Sequence, residues 1–131
     1  MLLKKQDFLP KLFYNTLMKE YFDEHQLKAI ENLGCSREAY QRYLERFRAD
    51  YSDSSMVLSE LITSNQLDEA RIHAHSVKGL AATLGLSSLS ELAAHIEMLL
   101  HNILNFPCLE NSYLHSLKIV LEDYKNQINS I

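Results

Sequence analysis

Leu67, Ala70, Ala74, Val77, Ala81 and Leu84 recur at alternating three- and four-residue intervals. At roughly 100° of rotation per residue they fall on one side of an α-helix, which makes a helix over Leu67 to Leu84 the strongest structural commitment of the chain. Similar stripes flank it. With only three glycines and two prolines in 131 residues, there is little material for a turn-rich β architecture. Helices are therefore expected throughout.

The boundaries can be read in order. Asp7 can cap a first helix over about Phe8 to Tyr21, with Pro10 tolerated in its first turn and Leu9, Leu12, Phe13, Leu17, Tyr21 and Phe22 as its apolar face. A short helix over Glu24 to Leu33 is stopped by Gly34. Ser36 caps a long helix carrying Ala39, Tyr40, Tyr43, Leu44, Phe47, Tyr51, Leu58, Leu61 and Ile62 inward. The Ser52-Asp53-Ser54-Ser55 cluster weakens that helix, but it reads as continuous to about Ser64. Asn65-Gln66 turns the chain into the Leu67–Leu84 helix, which ends at Gly85. Ser87 or Ser88 caps the next helix, with Leu89, Leu92, Ala93, Ile96, Leu99, Leu100 and Ile103 at core spacing, and Asn105-Phe106-Pro107 breaks it. The last helix gathers Leu109, Tyr113, Leu117, Val120, Leu121, Tyr124 and Ile128 on one side. Four long amphipathic helices with short connections imply an all-α, antiparallel up-and-down four-helix bundle with additional N-terminal helix or helices. The expected organisation is a single domain over 1–131, with 1–22 as a helical extension and 23–131 as the bundle.

Charge and composition exclude several functions. A net charge of −4 leaves no basic surplus to neutralise phosphates, so nucleic acid is not expected as a partner. No run approaches the ~20 apolar residues of a membrane span, and Met1 to Lys5 lacks the apolar core of a signal peptide. Cys35 and Cys108 are isolated and are expected to be free thiols. A cytoplasmic setting is the expectation.

His75 lies well away from the middle of the apolar stripe, beside Arg71, Lys78, Gly79 and Ala82. An outward imidazole with a neighbouring cation and a missing side chain has the makings of a docking and phosphorylation site. On this geometry alone, an ordinary surface histidine fits equally well. Gly79 costs a helix interior roughly 1 kcal/mol relative to alanine. It serves either the close approach of another protein to His75 or close packing against a neighbouring helix. His73, two positions from His75, points toward the core edge. His95 and His101 form no i, i+3 or i+4 histidine pair, so no metal site is expected.

The run His75-Ser76-Val77-Lys78-Gly79-Leu80-Ala81-Ala82-Thr83-Leu84-Gly85 resembles the signature of histidine-containing phosphotransfer (HPt) domains: His, two residues, Lys-Gly, small residues, then an apolar residue and Gly. Upstream, Glu38-Ala39-Tyr40 and Tyr43 to Phe47 are similar to that family's aromatic and leucine-bearing helix. Downstream, Leu89 and Leu92 to Glu97 match the helix beside the histidine. The resemblance covers about Asp23 to His101 well and the last helix loosely.

It implies a phosphorelay intermediate, in which His75 accepts a phosphoryl group from the aspartate of one receiver domain and passes it to another. Lys78 would lie against the phosphoryl oxygens; otherwise it is a plain solvated lysine. Glu97 would accept a hydrogen bond from one ring nitrogen and present the other; otherwise it is an exposed helix glutamate. Arg71, Ile72, Ser76, Leu80, Ala82 and Thr83, with Ala93, Ala94 and His101 opposite, would form the receiver-docking rim. The chain would be a carrier rather than an enzyme and hold no cofactor, with Mg²⁺ on the receiver. Its partners would be receiver domains of response regulators or of a hybrid sensor kinase, and its oligomeric state stays open. The competing reading is a helical adaptor that docks on a receiver or kinase and inhibits it without carrying phosphate.

Overall fold

Helix α1 (Glu24–Leu33) opens on a reciprocal cap: the Asp23 carboxylate accepts from the Gln26 N–H at 2.8 Å, and the Gln26 side chain accepts from the Asp23 N–H. The structure, a computed structural model, describes residues 22–131. The helix expected over Phe8 to Tyr21, and with it the 1–22 extension apart from Phe22, lies outside the described residues. Phe22 itself is buried, its ring perpendicular to that of Tyr40 at 5.2 Å.

After Gly34 closes α1 in the left-handed region, the expected Ser36 cap starts α2 (Arg37–Tyr51), with Ser36 Oγ accepting from the Ala39 N–H. The long helix expected through to Ser64 is in fact two. It ends at Tyr51, leaves helical geometry at Asp53 and resumes as α3 (Ser54–Thr63). Asp53 makes no side-chain cap there; what the break places is the Ser54 hydroxyl, which is buried and bonded to His73 and Tyr124. Tyr43 is also not inward: it stands about 60° around the helix from Tyr40 and is 46% exposed. Only the narrower stripe of Tyr40, Leu44 and Phe47 is fully covered.

Helices α4 (Leu67–Thr83), α5 (Ser87–Asn105) and α6 (Glu110–Asn129) complete the bundle, with a 3₁₀ turn at Pro107–Leu109 before α6. No strand occurs among the described residues. The α4–α5 turn is made by backbone alone: the Leu86 N–H reaches Ala81 O at 2.9 Å and the Gly85 N–H reaches Ala82 O at 3.1 Å. Leu86, not Ser87 or Ser88, occupies the cap, and no side chain caps α5. Leu109, expected inward, is exposed.

The up-and-down order is fixed by long-range bonds. The Tyr40 hydroxyl donates to Leu84 O, while Ser54 meets His73. As numbers rise along α2 and α3 they fall along α4, so the broken pair runs as one antiparallel pillar beside it. Ser54 also meets Tyr124, which brings α6 against α3 and closes the bundle. The buried stripe of α4 is Ala70, Ala74, Val77 and Ala81. Such small side chains let α5 come close, because interaxial distance follows the residues at the contact. That closeness puts side chains at the shared edge of α4 and α5 within bonding reach of each other. No helix of the described residues is long and apolar enough to cross a membrane.

Candidate functional site

The shared edge of α4 and α5 carries a linked set of three side chains. His75 Nδ1 lies 2.9 Å from Glu97 Oε1, and Lys78 Nζ lies 2.7 Å from Glu97 Oε2. The first is a hydrogen bond; the second is a charge-to-charge contact, off the direction of an aligned bond. Lys78 is one turn beyond His75, so a single carboxylate from the next helix can span both. A further bond ties the helices: Ser90 Oγ donates to Lys78 O at 3.0 Å.

Burial grades the three side chains. That of His75 is 63% exposed and that of Glu97 only 19%, with Lys78 between them. Partial burial pushes the Glu97 carboxyl up, but the Lys78 ammonium and the His75 ring outweigh it and hold Glu97 below the usual carboxylate range. Glu97 is therefore ionised at neutral pH and can only accept hydrogen bonds. The proton between them therefore sits on His75 Nδ1, and in the neutral imidazole the lone pair is on Nε2.

The structure sets His75, Lys78 and Glu97 side by side and adds a contact between Lys78 and Glu97. Lys78 is neither free nor plainly solvated; Glu97 holds it. Glu97 is correspondingly not an ordinary exposed glutamate. A Cβ built on Gly79 meets nothing within 4 Å, so packing against a neighbouring helix does not account for that glycine among the described residues. Ile72, Leu80, Ala82 and Thr83 are exposed along the same helix. Ser76 and Thr83 turn their hydroxyls back onto Ile72 O and Gly79 O. Arg71 is on this side but already paired: its guanidinium donates twice to Asp68 Oδ1, at 2.8 and 3.1 Å.

One expectation for the rim fails. Ala93 is fully buried, because it belongs to the core stripe of α5 with Leu89, Ile96 and Leu100. Met98, next to Glu97 in sequence, and Leu104 are the exposed large apolar residues of α5, and neither belongs to the rim expected from sequence. The same helical arithmetic finds Met98, since position 98 lies outside the stripe formed by 96, 99, 100 and 103. His101 is exposed, with Asn105 donating to its backbone carbonyl. No group of three or more His, Cys, Asp or Glu side chains among the described residues is placed to hold a metal ion.

His73 faces the other way. Its Nε2 is 2.6 Å from Ser54 Oγ, which is in turn 2.7 Å from the Tyr124 hydroxyl. Burial lowers the His73 pKa against the opposing pull of Asp53, and burial pushes the Tyr124 phenol up to about 12.

The described residues thus form a helical bundle that offers an exposed imidazole, bonded to a carboxylate of the adjacent helix and bordered by a lysine and a bare glycine. The Hpt domain family model matches residues 42–127, more than half of the chain, and the chain belongs to that family. Hpt domains are phosphocarriers, not enzymes in the ordinary sense; they act in two-component phosphorelays together with receiver domains. Neither the curated proteins nor the solved structures give a match to this chain.

Proposed function

We propose that this protein is a phosphorelay intermediate in which His75 takes a phosphoryl group from the aspartate of one receiver domain and gives it to the aspartate of another. The observation that carries this reading is the exposed imidazole whose Nδ1 is committed to Glu97, so that Nε2 is the free nucleophile. Phosphoryl transfer passes through a loose transition state, and its catalysis is chiefly positioning and charge compensation. The bundle supplies the aimed ring. Lys78, one turn away, supplies a cation that can move from Glu97 to the phosphoryl oxygens without leaving the site.

The receiver supplies the rest: the acyl phosphate or acceptor aspartate, and the Mg²⁺ that offsets phosphoryl charge. Gly79 and Ala82 keep the approach to His75 low, and Arg71, Ile72, Ser76, Leu80 and Thr83 form the docking rim with Met98 across the edge. The donor and acceptor receivers belong to response regulators or a hybrid sensor kinase, in the cytoplasm.

Mixing the protein with a receiver domain carrying labelled aspartyl phosphate tests the proposal. Label stable in base and labile in acid should appear on the protein and vanish in the His75→Gln variant. Binding without labelling would instead identify a non-phosphorylated adaptor.

A further inference from the structure

We infer that Glu97 is a positioning residue for phosphoryl donation: its carboxylate keeps the Nδ1 proton on the phosphorylated His75 ring, so that the ring departs as neutral imidazole. The inference rests on the reading of His75 as the phosphoacceptor.

The electron count shows why that proton matters. When Nε2 attacks an aspartyl phosphate, its lone pair forms the N–P bond, the P–O bond breaks and the aspartate leaves as carboxylate. The product ring carries Nδ1–H and an Nε2-phosphoryl group, and is formally an imidazolium. On donation, the N–P bonding pair returns to Nε2 as the next aspartate oxygen bonds to phosphorus. If Nδ1 still holds its proton, the leaving group is neutral imidazole. If that proton has passed to solvent, the leaving group is imidazolate, a far stronger base, and the phosphoryl group stays where it is.

Glu97 decides between these fates by charge as well as by bonding. An amide oxygen at the same place would accept the same hydrogen bond, but only an anion resists loss of the proton from a cationic ring. The carboxylate is also largely covered, and before the phosphoryl group arrives its second oxygen is engaged by Lys78 at 2.7 Å. Whether against Glu97 or against the phosphoryl oxygens, Lys78 is a cation beside the same ring, and its charge opposes retention of the proton. Of the other charged or titratable groups on this edge, Arg71 is paired with Asp68 on α4, and His101 lies one turn beyond Glu97 on α5. Among the described residues, the carboxylate bonded to the ring is that of Glu97.

The test charges the protein with phosphoramidate, a small phosphodonor that needs no receiver, and follows loss of the phosphoryl group by ³¹P NMR between pH 5 and 9. The parent, Glu97→Gln and Lys78→Gln are compared. In Glu97→Gln the fall of hydrolysis toward alkaline pH should begin about one pH unit earlier, making the phosphoprotein about tenfold longer-lived at pH 8. Lys78→Gln should move the curve in the opposite direction. All three rates should converge at pH 5, where the ring is protonated without help; a merely structural role for Glu97 would not produce opposite displacements with a common acid limit.

Superimposable curves for the parent and Glu97→Gln would overturn the inference and leave His75 as acceptor. Failure of Glu97→Gln alone to take label would show that acceptance already needs the charge of Glu97 and not only its hydrogen bond to Nδ1, and would also overturn the inference. Absence of label from the parent would overturn the function proposed above together with this inference.

Discussion

His73 and His75, two positions apart on α4, stand in opposite environments: His75 points to solvent against the Glu97 carboxylate, and His73 points inward onto the Ser54 hydroxyl. A separation of about 200° around the helix axis produces that contrast. One imidazole is thereby available to another protein. The other is part of a polar knot joining α3, α4 and α6 through Ser54 and Tyr124.

Replacing each ring in turn separates the two roles. His75→Gln should lose phosphate labelling while its urea unfolding stays within about 0.5 kcal/mol of the parent, as expected for an exposed position. His73→Leu should keep the label but lose about 1–3 kcal/mol, because it leaves the buried Ser54–Tyr124 pair short of a partner. Persistent labelling of His75→Gln would remove His75 from the mechanism.

The inward ring also makes stability depend on pH. Burial lowers the His73 pKa in the folded protein, and Asp53 only partly offsets it. The unfolded chain therefore binds the His73 proton more readily than the folded one. Its contribution is fully present above the unfolded value of about 6.5 and is lost as pH falls from there toward the folded value. The slope cannot exceed about 1.4 kcal/mol per pH unit for one proton. Urea midpoints measured from pH 5 to 8 should fall more steeply on the acid side for the parent than for His73→Asn. Parallel curves would show that His73 titrates alike in both states.

Gly79 offers a test in which stability and function move in opposite directions. Its built Cβ meets open space in the middle of a helix, so Gly79→Ala should stabilise the fold by about 0.5–1 kcal/mol. Gly79→Leu should leave labelling by phosphoramidate intact, since a small donor needs no flat surface. It should slow transfer from a phosphorylated receiver about tenfold or more, a docking clash of only ~1.4 kcal/mol being enough. Equal receiver kinetics for Gly79→Leu and the parent would exclude close approach as the reason for this glycine.

The features legible in the sequence are those governed by local rules. Helical spacing locates the core of α4 and the exposure of His75, and Gly34, Ser36, Asn65 and Gly85 mark real boundaries. The departures share a different origin. Whether Ser52–Asp53 bends or breaks a helix depends on what Ser54 can bond to, and its partners are 19 and 70 residues away. Tyr43 fits an apolar stripe, but α2 buries only the middle of its stripe, which no local pattern reveals. Ala93 fits both core and rim by spacing, and close packing of α4 on α5 settles it as core. The Lys78–Glu97 contact is out of reach for the same reason: the motif gives each residue a separate partner, and only the inter-helix distance shows that Lys78 and His75 share one carboxylate.

Gly85 closes the α4–α5 turn, and two separate demands fall on it. Its φ of +71° lies where side chains are strained, and a Cβ there would stand 2.3 Å from His25 O and 2.8 Å from Gln26 Cα, on the backbone of α1. Gly34 has a similar φ of +62° but nothing within 4 Å of its built Cβ. The pair therefore isolates contact from conformation. Gly34→Ala should cost only the left-handed strain of about 1–2 kcal/mol. Gly85→Ala should cost a further ~1–3 kcal/mol, because α1 must move off the turn or the turn must open. Urea denaturation of both variants measures the difference directly. Limited proteolysis should also cut within 24–33 sooner in Gly85→Ala than in Gly34→Ala. Equal losses in the two variants, with equal protection of α1, would mean that the seat of α1 on Gly85 contributes nothing to holding that helix against the α4–α5 turn.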